Sequence, residues 1–126
     1  VNEPETTSIF LADDRISFLP GEKVAGVARW AVNRLPSSIE IRLFWFTSGS
    51  GDRDVGIVQS VPVEPALVGE KAFEFQLPLS PYSLKGNLIS LTWAVEIVIE
   101  PKARSARAEL VMAPNRVEVI LPPPTG

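Results

Sequence analysis

The chain has 126 residues, 12 of them basic and 15 acidic, and 45% apolar residues supply enough material for one folded domain with a full core. There is no cysteine and no histidine. Their absence excludes disulfides, thiolate and imidazole metal ligands, Fe–S clusters, and the Ser-His-Asp and Cys-His nucleophile pairs within this chain.

Residues 1–7 are polar and read as a leader. Residues 8–12 form a short apolar run closed by Asp13 and Asp14. Residues 15–19 alternate, with Ile16 and Phe18 on one face, and Pro20-Gly21 signals a turn. From Glu22 to Asn33 the chain reads at period 2, with Val24, Gly26, Ala28, Trp30 and Val32 sharing a side. The valines and Gly26 weigh against a helix, and Gly26 lets another backbone or a large side chain approach closely.

Residues 39–47 form the next strand. Ile39, Ile41, Leu43 and Trp45 share one face, and Phe44 and Phe46 fall on the other. Residues 48–54 are a Gly/Ser/Asp loop. Residues 55–64 are a strand that Pro62 confines to a sheet edge or a bulge. Residues 65–69 connect to Phe73, Phe75 and Leu77. A proline corner follows, with Pro78, Pro81 and a left-handed Gly86.

The longest regular pattern comes next: Ile89, Leu91, Trp93, Val95, Ile97 and Ile99 at strict period 2, a strand with one buried face. Residues 101–105 make a hairpin connection. Ala106, Ala108, Leu110 and Met112 alternate, and residues 116–121 are a last strand. Residues 122–126 are a proline-rich tail or linker. About eight or nine strands joined by turn residues predict an all-β domain over residues 8–121. Its architecture is a two-sheet antiparallel β-sandwich, immunoglobulin-like, with no helix required.

Three stretches resemble the arrestin family. Residues 18–27 (FLPGEKVAGV) are similar to a Pro-Gly-Glu lead-in to an early strand. Residues 73–78 (FEFQLP) are similar to its F-x-F-x-(I/L)-P. Residues 81–97 are similar to its proline corner and the strand after it. The resemblance implies an arrestin-like topology. Two departures are local: the Tyr82-Ser83 order is shuffled, and one extra residue precedes Gly86. A third is global, since this chain holds one sandwich where arrestins and retromer-type sorting proteins carry two. The polar core and phosphate-reading lysines of the receptor-binding members are not transferred.

The chemistry on offer is sparse. Asp52 and Asp54 sit in the 48–54 loop, where hard cations would want a third acid; turn geometry explains them better. The Ser/Gly run there lacks the Gly-Lys-Ser/Thr of a P-loop. Glu96, Glu100, Glu40 and Arg42 read as the wet face of a sheet rather than a carboxylate pair for glycoside hydrolysis. Trp30, Trp45 and Trp93 are in phase with their strands' aliphatic faces and read as core rather than as a sugar platform. The scattered basic residues, loosely grouped only at Lys102, Arg104 and Arg107, leave no nucleic-acid footprint. No apolar run spans a bilayer, which is compatible with a membrane-anchored parent.

The expected function is therefore a non-catalytic protein-interaction module within a larger protein, with no cofactor. Phe44, Phe46, Asp52 and Asp54 are the contact candidates, together with the edge strand after them. A carbohydrate-binding accessory module is the alternative, and it requires exposed, coplanar aromatic rings.

Overall fold

The alternation from Ile89 to Glu100 sits at the centre of the computed structural model, which describes residues 4–49, 53–86, 88–101 and 104–120. The strands are β1 (Thr6–Leu11), β2 (Ser17–Phe18), β3 (Lys23–Ala31), β4 (Ser38–Gly49), β5 (Val55–Val63), β6 (Val68–Gln76), β7 (Leu84–Lys85), β8 (Ile89–Glu100), β9 (Arg104–Met112) and β10 (Val119–Ile120). Among the described residues the only helical element is a 3-10 turn at Ala12–Asp14.

Two sheets face each other. The smaller has the order β1-β3-β6. The larger runs β10-β7-β8-β4-β5, with β9 also on β8 and β2 on β9. β4 and β8 pair antiparallel without a slip from Ser38↔Glu100 to Gly49↔Ile89. Period 2 therefore puts Ile39, Ile41, Leu43, Val95, Ile97 and Ile99 on one face. They meet Val24, Ala28 and Trp30 of β3 and Phe73 and Phe75 of β6 in a single core. Trp93 is fully buried there, Trp30 is 4% exposed, and Trp45 is half-buried against the same cluster.

Two local features make the sheets fit. Gly26 carries no Cβ because one would lie 2.2 Å from the Phe10 carbonyl oxygen and 2.7 Å from the Phe73 ring. Gly21, at φ +82°, follows Pro20 in the turn closed by Glu22 N–H to Leu19 O at 3.1 Å, as a type II turn requires. After β6 the proline corner carries the chain from the small sheet to the large one. There the Trp93 indole N–H donates to the Pro81 carbonyl at 2.7 Å, tying the corner to the central strand.

The structure corrects several expectations. Pairing is mostly but not wholly antiparallel: β2 with β9 and β7 with β10 run parallel. Both are two-residue rungs reached by long connections rather than by hairpins. Thr6 and Thr7, assigned to the leader, belong to β1. The Glu5 carboxylate holds that start by accepting from Arg104 at 2.6 Å and from the Asn33 N–H at 2.8 Å. β6 begins at Val68 and β9 at Arg104, inside stretches read as connections. The last strand is shorter than read, because Ala113–Arg116 closes a turn with Arg116 at φ 59°. The Gly86 N–H donates to Ile89 O at 2.9 Å. Leu121 and the 122–126 tail lie outside the described residues.

Candidate interaction surface

Because the β4–β8 ladder never slips, Phe44 and Phe46 must project from the outer face of the large sheet, opposite Ala94 and Thr92. Ala94 leaves room for a ring. The two rings stack with centroids 5.9 Å apart at 29°, and the Arg107 guanidinium lies 4.6 Å from the Phe46 centroid. These neighbours cover much of the pair. Phe44 is only 7% exposed and Phe46 is half-buried.

The exposed apolar surface lies one strand over, on β5. Val55 (63% exposed) sits opposite Phe46, and Ile57 (55%) opposite Phe44. Val58 is an extra residue in a bulge, since Leu43 pairs with Gln59 and Phe44 with Ile57. A depression of about 160 Å³ is lined by Arg42, Phe44, Val55, Ile57 and Glu96.

Among the described residues β5 has β4 as its only strand neighbour, so its other edge is open there. Its backbone direction follows from β4. Thr47 N–H donates to Asp54 O at 2.9 Å, so Thr47 and Asp54 face each other through hydrogen bonds. In an antiparallel ladder such pairs alternate with pairs that point their N–H and C=O away. Val55 and Ile57 therefore turn theirs outward. Beyond the bulge, Ser60 and Pro62 do the same, which is where a proline's missing N–H costs the ladder nothing.

Asp54 is exposed, and its N–H also donates to Thr47 Oγ1 at 2.8 Å. Its backbone fixes the start of β5. Asp52 lies outside the described residues. Among the described residues no three Asp or Glu side chains gather as a metal site would need.

The polar end of the same outer face is held by Arg42, whose Nε lies 3.1 Å from Glu40 Oε1. The Arg42 hydrogen bond, and after it that of Ser60, keeps the Glu40 carboxyl below its usual range. Glu40 in turn raises the Arg42 guanidinium, with Glu96 and Glu100 adding to the field. Glu22 is shifted further, to about 2: it accepts two bonds of 2.7 Å from Arg15 and one of 2.6 Å from the Leu19 N–H, and Arg116 lies 3.3 Å away. These shifts favour the carboxylate, the opposite of what a general acid needs.

Two features were missed in the sequence. The Glu22 knot joins residues 15 and 116, which no local pattern connects. The outer face of the small sheet holds a shallow concavity of about 610 Å³, lined among others by Phe10, Ala25, Val27 and Ala72. Its signal is faint: small residues at alternate positions on strands whose other face is core. The sugar-platform reading loses its tryptophans, since Trp30 and Trp93 are buried and the Trp45 indole lies against Gly56.

No family model and no curated protein matches the sequence. Among solved structures, Spo0M, a sporulation control protein from Bacillus subtilis with an arrestin-like fold, matches with a TM-score of 0.60 at 16% identity. The alignment covers 88% of this chain and 50% of Spo0M, so this chain spans half that protein's length. At this identity the likeness is one of fold: an all-β, two-sheet domain with an arrestin-like neighbour.

Proposed function

We propose that this domain is a non-catalytic protein-interaction module that docks partners along the open edge of β5, with the Phe44/Phe46 face beside it. The observation that supports the reading most is the nature of that edge. From Val55 to Val63 it carries no charged residue, and its apolar side chains at 55 and 57 are more than half exposed. Native sheets guard such an edge with charges, prolines or bulges, or cover it; β5 has the Val58 bulge and Pro62 but no charge, and Val55, Ile57 and Ser60 keep their outward N–H groups. A strand laid alongside would gain main-chain hydrogen bonds for affinity, while Val55, Ile57 and the depression beside Phe44 would select its side chains.

A photo-crosslinking amino acid at position 57 of the protein in its native cellular context tests this. The expected result is a discrete protein adduct that a crosslinker at Arg29, on the outer face of the small sheet, does not give. Equal or absent crosslinking at both positions sinks the reading. Carrying Val55→Asp in the same chain should remove the adduct.

A further inference from the structure

We infer that β5 pairs with β5 of a second copy of this chain, antiparallel about a two-fold axis, giving a closed dimer with one continuous sheet. The inference rests on the reading of β5 as a docking edge and names what occupies it.

Among the described residues β5 and β6 are long strands with an unpaired edge; β1 and β9 have one too, and those two strands lie close to each other. β6 is guarded. Glu70 and Glu74 flank Ala72 on one face, paired with Arg29 at 3.0 Å and Lys23 at 3.5 Å, and Lys71 projects from the other. Two β6 strands related by a two-fold axis through Ala72 would set Glu70 against Glu74, a like-charge pair. Joining β6 to β5 would place those charges against Val55 and Ile57. It would also be head-to-tail, a contact that builds an open filament unless its rotation closes a ring.

β5 against β5 has neither fault. An uncharged edge suits an uncharged strand, since a charge set against Val55 or Ile57 would lose water without gaining a partner. Within this chain β5 is itself such a strand. The outward groups also match. With Ile57 opposite Ser60 of the second copy, and Ser60 opposite its Ile57, both residues exchange N–H and C=O in full. Val55 then faces Pro62, whose carbonyl accepts the Val55 N–H, and the Val55 carbonyl alone is left without a donor, once in each copy. The bulge does not spoil this register. The extra residue lies between Ile57 and Ser60 in each copy, so Val58 faces Gln59 of the second copy and the spacing from Ile57 to Ser60 is equal on both strands.

Analytical ultracentrifugation and amide hydrogen exchange across a concentration series decide the matter. The expected result is a monomer–dimer equilibrium in which the amides of Val55, Ile57 and Ser60 slow as concentration rises, while those of Glu70 and Ala72 on β6 do not. I57K, at a side chain 55% exposed, should weaken the association at least tenfold and leave the far-UV spectrum unchanged. S60P should do the same by removing one outward N–H. A protein monomeric at every concentration overturns the proposal, and so does a dimer whose β5 amides exchange at monomer rates, or growth into filaments. A purely monomeric protein that still crosslinks from position 57 to a different protein refutes self-pairing and leaves the interaction reading standing.

Discussion

Replacing Gly26 with alanine puts a methyl group where the backbone of β1 already runs. The Cβ would sit 2.2 Å from the Phe10 carbonyl oxygen, 2.7 Å from Phe73 Cζ and 3.2 Å from Leu11 Cα. Two of the three obstacles are main chain, so a rotamer change of Phe73 does not clear the clash. β1 has to slide off β3, to which it is paired from Thr6↔Ala31 to Leu11↔Gly26. Overpacking of this kind costs about 1–3 kcal/mol, and a backbone obstacle belongs in the upper half of that range. Alanine also lowers the freedom of the unfolded chain, which offsets about 0.4–1 kcal/mol. The net loss is about 2 kcal/mol, or a fall in Tm of about 8 °C at roughly 4 °C per kcal/mol for a domain of this length. Differential scanning calorimetry reads it directly. Adding F73L should recover only part of the loss, because the Phe10 oxygen remains in place. A Tm within 2 °C of the parent, or full recovery in the double variant, would falsify the claim that β1 and β3 meet backbone to side chain at Gly26.

Trp93→Phe should cost about 2–3 kcal/mol in urea unfolding, from the lost ring volume and from a Pro81 carbonyl left without its donor; a loss below 1 kcal/mol would mean the corner does not depend on that bond. For Glu22 the folded carboxyl titrates near 2 against an ordinary 4.5, chiefly through the Arg15 hydrogen bond and then the Leu19 N–H. Its stabilisation is therefore complete above pH 4.5 and disappears as pH falls toward 2. E22Q should flatten the acid limb of a Tm-versus-pH profile in that window; an unchanged limb would assign the acid sensitivity elsewhere.

Strands paired through strict alternation were legible from residues alone. β3, β4 and β8 each bury one face over nine or more residues, and a one-residue slip would expose the whole set, so the pattern is written strongly. The three tryptophans were placed correctly for the same reason, and Pro62 marked an edge because proline cannot sit inside a ladder. Contacts made across distance were not legible. Thr6 and Thr7 look like leader until Arg104 and Asn33 capture Glu5. Glu22 looks like a solubilising charge until Arg15 and Arg116 converge on it. The two parallel rungs involve pairs such as Ser17 with Val111, whose short strands carry no period of their own. Phe44 was rightly read as lying out of phase with the core. How little of it stays exposed depends on Ala94, Phe46 and β5 gathering round it, and the exposed share of the patch passes to Val55 and Ile57.

The small sheet is a roof whose beams come from distant parts of the chain. β3 pairs with β6 from Lys23↔Gln76 to Ala31↔Val68, and the whole β4–β5 hairpin lies between them. β4 in turn waits for β8, with Ser38 meeting Glu100. The hairpins β4–β5 and β8–β9 close over short loops, but the partnerships that bury the core close over long ones, and their entropy must be met before the contacts reward it. A chain emerging from the ribosome therefore completes β4 and β5 before β8 exists, and until then the β4 edge that β8 takes stands open along with the edge of β5. In that interval the uncharged β5 is the segment most in need of a chaperone.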